Sequence, residues 1–129
     1  MPKSKIAMIG AGWWGVEAYV PALLENLDVD FVAVNRRNQG ALDKILAKYD
    51  IARGYTDHRE MLQNEDLDAV VITSPHTLHF EHARDALEAG CHVLIDKPMA
   101  TSAEDARALV KLAEEKGREI LIPYGWNYK

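Results

Sequence analysis

The sequence predicts an α/β domain: a doubly wound, mostly parallel sheet of about six strands with helices on both faces. Three observations predict it. Short apolar runs alternate with stretches of helical periodicity along all 129 residues, a glycine-rich turn closes the first apolar run, and no repeat or low-complexity tract interrupts the alternation.

The elements are taken in chain order. Residues 5–10 (KIAMIG) end in glycine and read as a strand buried on both faces. Residues 13–26 are helical by composition, and Pro21 there predicts a kink or an early end, because it removes one hydrogen bond and crowds the preceding turn. Residues 30–34 (DFVAV) predict a second strand, and residues 41–49 place Leu42, Ile45, Leu46 and Tyr49 at helical spacing. Residues 53–55 predict a short third strand, with Asp57 as N-cap of a brief helix through Gln63.

A fourth strand is expected at 68–73 (DAVVIT), then Pro75 and a helix over about residues 77–89, which Gly90 ends in the left-handed conformation. Residues 92–96 (HVLID) predict a fifth strand. Thr101 and Glu104 have the spacing of a capping box, opening a helix that runs to Lys116 and stops at Gly117. Residues 119–123 (EILIP) complete the sheet. Right-handed crossovers between parallel strands are expected, and the expected strand order is 3-2-1-4-5-6.

The bulk composition excludes several classes. At 48% apolar and 27% charged, the chain has the make-up of an ordinary globular domain. Its net charge of -5, with Lys and Arg interspersed among acids, offers no footprint for nucleic acid. Cys91 has no second cysteine to pair with, the N-terminus lacks the apolar core of a signal peptide, and no apolar run approaches the length of a membrane span. A cytoplasmic protein without membrane or nucleic-acid partners is expected.

Gly10-Ala11-Gly12-Trp13-Trp14-Gly15 is G-x-G-x-x-G at the junction of a strand and a helix. Gly10 permits the tight turn, Gly12 lets backbone approach a pyrophosphate, and Gly15 lets helix and strand pack closely. The helix N-terminus adds amide donors and a positive dipole end. A dinucleotide-binding Rossmann domain is the expectation.

About twenty residues beyond Gly15, an NAD-binding domain normally carries an acid for the adenosine ribose. This chain has Asn35-Arg36-Arg37. Asn removes the charge that would repel a 2'-phosphate, and a guanidinium grips phosphate in a bidentate fork, so NADP is favoured over NAD. Methyltransferases share a sheet and a glycine-rich turn but commonly want an acid at this place.

The nicotinamide end of a dinucleotide should lie beyond strands four and five, where Thr73-Ser74-Pro75-His76-Thr77-Leu78-His79 and Asp96-Lys97-Pro98 stand. His76, His79 and His82 recur at three-residue spacing, but nothing completes a metal ligand set, and His82, Asp85 and Glu88 read as a helix surface. No metal is predicted.

GAGWWG at 10–15, DAVVITSPHTLHFEHARDALEAGCHVLIDKP at 68–98 and PYGWNY at 123–128 together resemble the Gfo/Idh/MocA oxidoreductases, which include glucose-fructose oxidoreductase and inositol dehydrogenase. The resemblance implies that Lys97, as the Lys of a Glu-Lys-Pro motif, is catalytic beside the nicotinamide and the reacting carbon of a sugar or polyol. Asp96 departs from the usual Glu. The resemblance also implies that Ser74, Pro75 and His79 line the cofactor groove, with Thr73 beside them. Trp13 and Trp14 are expected either to wall the groove or to pack into the first helix.

Family members continue into a second domain with an open, mainly antiparallel sheet that forms the substrate pocket and often the oligomer interface. By that resemblance this chain is the cofactor domain alone, its aromatic end at 123–129 is made to enter another layer, and self-association is expected. Hydride transfer at a sugar or polyol is one function class; a non-catalytic cofactor sensor or regulatory module is the other. Biliverdin and dihydrodipicolinate reductases share the cofactor domain and differ mainly in their C-terminal domains.

Overall fold

The computed structural model describes residues 2–123. Six strands form one parallel sheet: β1 (Ser4–Ile9), β2 (Val29–Asn35), β3 (Arg53–Tyr55), β4 (Ala69–Ile72), β5 (His92–Ile95) and β6 (Ile120–Leu121). They stand in the order β3-β2-β1-β4-β5-β6, as the sequence predicts. The helices are α1 (Trp13–Glu25), α2 (Gln39–Lys48), α3 (His58–Asn64), α4 (His79–Glu88) and α5 (Ala103–Lys116). A single 3-10 turn, His76–Leu78, leads into α4.

Alternation along the strands divides the core into two layers. Ala7, Ile9, Val70 and Ile72 face Met61, Ala83, Leu87 and Leu109 of α3, α4 and α5. Met8 and Val71 face Val16, Val20 and Leu42 of α1 and α2. Burial of these side chains on both faces is what holds the helices to the sheet, at about 25 cal/mol for each Å² of apolar surface removed from water. Register between β1 and β2 jumps from Ile6↔Phe31 to Ala7↔Ala33, leaving Val32 as the extra residue. That bulge turns Val32 and Ala33 toward the same layer.

Most boundaries agree with the sequence reading, and the exceptions have local causes. Helix α1 runs through Pro21 to Glu25 rather than ending early, because Pro21 lies on the solvent face, where the carbonyl left without a donor can bond water. Helix α2 starts two residues sooner than expected, because the Asn38 side chain accepts from Ala41 N at 2.8 Å. Asp57 caps α3 through a bond from Arg59 N at 2.9 Å. The cap of α5 is Ser102, accepting from Asp105 N at 3.1 Å, so the expected Thr101–Glu104 box is displaced by one residue. Gly90 and Gly117 end α4 and α5 with φ of 87° and 64°. Beyond Pro123, the aromatic end singled out in the sequence lies outside the described residues.

Candidate functional site

Crossovers leave β1 toward one face and β4 toward the other, so the chain parts at the carboxyl ends of these neighbouring strands. A cleft of about 620 Å³ opens there, with Gly10, Gly12, Trp13 and Trp14 on one wall and Ser74 and Asp96 on the other. That volume lies within the usual range for small-molecule sites.

The glycine turn is shaped by contacts no side chain would survive. Gly10 has φ 73°, and a Cβ on it would stand 2.3 Å from Ser74 Cβ. A Cβ on Gly15 would stand 2.2 Å from Thr73 Oγ1, so α1 packs against β4 only because that position is bare. Gly12 faces the open cleft; its nearest neighbour is an Arg36 guanidinium nitrogen, 3.2 Å from where a Cβ would be. The first bond of α1 runs from Val16 N to Gly12 O at 3.0 Å. The amides of Trp13, Trp14 and Gly15 therefore have no intrahelical acceptor, and no acidic residue occupies the first turn to repel an anion. Trp13 and Trp14 are 77% and 56% exposed with ring centres 6.1 Å apart, which places them on the cleft wall and not inside the helix packing.

At the end of β2, Asn35 is buried and its amide is turned into the fold. Its Oδ1 accepts from Gly10 N at 3.0 Å, and its Nδ2 donates to Tyr55 O at 3.2 Å. It touches the cleft wall, yet its polar atoms fix the glycine turn to β3. The half-buried Arg36 donates to Ala11 O at 3.2 Å beside Gly12, and the exposed Arg37 lines the same cleft. Positive charge thus borders the cleft near the helix N-terminus.

The opposite wall is held by side chains. Thr73 Oγ1 donates to Gly10 O at 3.2 Å, and Ser74 Oγ lies 2.7 Å from His82 Nδ1. Pro75 and His76 are exposed on the wall. His79 is fully buried and does not reach the cleft, contrary to the groove-lining place expected for it. Its Nε2 lies 2.8 Å from Ser74 O and its Nδ1 2.6 Å from Pro98 O, so it ties the two turns together from behind. His82, expected on a helix surface, is 5% exposed and lines the cleft. Burial, with the His58 ring beside it, pulls the His82 imidazole down to about 4. The i, i+3 spacing of His79 and His82 is visible in the sequence, but which face of α4 meets the sheet is not.

Asp96 reaches the cleft and accepts from Tyr19 Oη at 3.3 Å. Burial, with the Asp96 carboxylate next to it, pushes the Tyr19 phenol up to about 12. Lys97 is exposed, one residue beyond the wall, at a cis Lys97-Pro98 bond. Among the described residues, no group of three or more His, Cys, Asp or Glu side chains is placed to hold a metal ion. No described helix is long and apolar enough to cross a membrane.

A bare glycine turn against a free helix N-terminus, at the switch point of a parallel sheet, fits a dinucleotide. The family model for the Gfo/Idh/MocA oxidoreductase family, NAD-binding Rossmann fold, matches residues 4–124. This chain belongs to that family. It is 36% identical over 119 residues to 4-carboxy-2-hydroxymuconate-6-semialdehyde dehydrogenase of Sphingobium, covering 92% of this chain and 37% of the relative. D-glucoside 3-dehydrogenase of Escherichia coli is 31% identical over 125 residues, 97% of this chain and 35% of its own length.

The WlbA dehydrogenase of Bordetella pertussis, solved in complex with NADH and UDP-GlcNAcA, matches with a TM-score of 0.87 at 28% identity, over 94% of this chain and 37% of that one. The chain spans about a third of the length of the curated relatives it matches. It is a nicotinamide-dinucleotide-binding oxidoreductase domain.

Proposed function

We propose that this domain binds NADP and serves hydride transfer at a secondary alcohol or ketone of a sugar, polyol or related small molecule, in the cytoplasm. The cofactor choice rests on one observation. The residues that lead from β2 into the cleft are Arg36, Arg37 and Asn38, two cations and no carboxylate, with Arg36 already resting against the glycine turn. A 2'-phosphate is attracted there and a bare ribose gains nothing from it. The substrate class draws support from the D-glucoside named for the Escherichia coli relative and the sugar nucleotide bound by WlbA.

In this reading the amides of Trp13, Trp14 and Gly15 hold the pyrophosphate, and Arg36 and Arg37 grip the adenosine end. Thr73, Ser74, Pro75 and Asp96, faced by the two indoles, border the nicotinamide. The bound cofactor supplies the hydride acceptor. Lys97, free at the mouth, orients the substrate hydroxyl and stabilises the alkoxide that develops on its oxygen.

The test is a fluorescence titration with NADPH and with NADH, read as energy transfer from the cleft tryptophans. NADPH is expected to bind more tightly, and Arg36→Ala to weaken NADPH by roughly tenfold or more, the worth of a charge-assisted bond, while leaving NADH within about twofold. Equal affinity for both cofactors refutes the NADP assignment. One observation favours a second reading, a non-catalytic cofactor sensor: Lys97 stands outside the cleft wall. Lys97→Ala in the active enzyme decides between them, since it should abolish turnover and spare cofactor binding only if Lys97 is catalytic.

A further inference from the structure

Of the five histidines in the sequence, four gather around the Ser74-Pro75 turn: His58, His76, His79 and His82. Ser74 is gripped twice from one face of α4. His79 Nε2 lies 2.8 Å from its carbonyl, and His82 Nδ1 meets its hydroxyl at 2.7 Å. The His82 ring rests 4.4 Å from that of His58, whose Nε2 is 2.7 Å from Asp85 Oδ2. A second cavity of about 250 Å³ shares Arg37, Leu78 and His82 with the first. The charged and titratable groups around it are His58, Asp57 and Arg59 from α3 and its cap, His79, Glu81 and Asp85 from α4, and Arg37 from beyond β2.

Burial keeps the His82 ring neutral near pH 7, with one N–H and one lone pair. A hydroxyl has one proton to donate. If Nδ1 carries the lone pair, the Ser74 proton must point toward His82, and the oxygen turns lone pairs, not a proton, to the cleft. Packing alone would be served as well by leucine, which needs no polar partner in a buried place.

We propose that His82 is a positioning residue for cofactor recognition, which accepts the Ser74 proton at Nδ1 so that Ser74 offers a fixed acceptor to a hydroxyl or amide N–H of the bound dinucleotide. The inference rests on the dinucleotide-binding reading of the cleft. His58, anchored by Asp85, packs against the His82 ring.

Three substitutions in the 129-residue chain separate this role from simple packing. Asparagine places its oxygen where Nδ1 stands, glutamine places it nearer Nε2, and leucine supplies neither. His82→Leu and His82→Gln should weaken NADPH or NADH binding by about five- to tenfold, the worth of one hydrogen bond, while His82→Asn stays within about twofold of the unmutated chain. On a Ser74→Ala background, His82→Leu should cost nothing further. Circular dichroism confirms that each variant is folded.

Long-range proton–nitrogen NMR of the unmutated chain should show His82 as the Nε2–H tautomer, a readout that needs no cofactor. An Nδ1–H tautomer, equal losses in all three His82 variants, or an undiminished loss on the Ser74→Ala background overturns the inference alone. Failure of the folded, unmutated chain to bind either cofactor overturns the dinucleotide reading and this inference with it.

Discussion

The β1–β2 wall of the cleft gets its shape from absent side chains, whereas the β4–β5 wall gets its shape from buried polar ones. Gly10 and Gly15 let α1 and the turn before it close on Ser74 and Thr73 to distances that a single methyl group would forbid. Across the cleft, the two nitrogens of His79 lie against the Ser74 and Pro98 carbonyls, one of which a neutral ring can donate to, and the Ser74 hydroxyl meets His82. The first kind of wall is rigid by exclusion and independent of pH. The second depends on the His82 imidazole staying neutral beside the Ser74 hydroxyl.

Breaking the first wall should have the largest effect. Gly10→Ala adds a Cβ 2.3 Å from Ser74 Cβ at a φ of 73°, so both backbone strain and overlap oppose it. A loss of about 3 kcal/mol or more is expected in urea unfolding, a large share of the roughly 5–15 kcal/mol that keeps a domain folded. Gly15→Ala should cost less, because its clash is with the Thr73 side chain, and Thr73→Gly should return part of the loss. A Gly10→Ala chain within about 1 kcal/mol of the original would mean that the turn is not sterically fixed.

The second wall should fail in acid. The unfolded His82 takes up a proton near the ordinary imidazole value of about 6.5, whereas the folded ring resists until about 4. The unfolded state therefore binds more protons between those values, and stability falls as pH drops through this window. The loss approaches about 3 kcal/mol, from the spacing of the two values. Below about 4 the native ring also titrates and the slope attributable to it vanishes. His82→Asn should flatten the stability profile between pH 6.5 and 4 relative to the original chain, and an unchanged slope would show that the ring is charged in the fold.

These walls differ in how far they can be read from the sequence. G-x-G-x-x-G between a strand and a helix announces its geometry, since each glycine answers a local steric demand. The sheet order follows from the alternation taken together with that fingerprint, since alternation by itself also allows the order 2-1-3-4-5. The place of a histidine does not. His79 and His82 occupy one face of α4, but whether that face meets the cleft, the core or water depends on how α4 packs against β4 and α5. Spacing along the chain is silent on that. Asn35 reads in the sequence as a ribose neighbour, while its amide serves Gly10 N and Tyr55 O, partners 25 and 20 residues away. The α5 cap lies one residue past the expected one because Thr101 and Ser102 are both competent caps, and it is Ser102 whose extended backbone occupies the cap position.

Asn35 gives a smaller, sharper test. Asn35→Ala strips the partner from Gly10 N and from Tyr55 O, and two neutral bonds in a part-buried place are worth about 2 kcal/mol. Arg36→Ala, one residue on, should change stability by less than about 1 kcal/mol, because it removes one bond rather than two and its side chain is only half-buried. If the two variants were equally destabilised, Asn35 would not be the joint of the glycine turn.

The two walls are also joined by a side-chain bond, and its loss should have the smallest effect. Tyr19 on α1 donates to Asp96 just past β5 at 3.3 Å, a long contact. Tyr19→Phe should cost about 1 kcal/mol and leave the fold intact. The titration of the phenol gives the direction independently. The folded group holds its proton to about 12 while the unfolded one releases it near 10, so the stability it contributes is complete below about pH 10 and is lost as pH rises toward 12. Ultraviolet titration of tyrosinate absorbance, compared with the Tyr19→Phe chain, should therefore lose its most alkaline step. A Tyr19 that ionises near 10 would mean that α1 and Asp96 are not coupled, and that the glycine contacts at Ser74 and Thr73 alone set the width of the cleft.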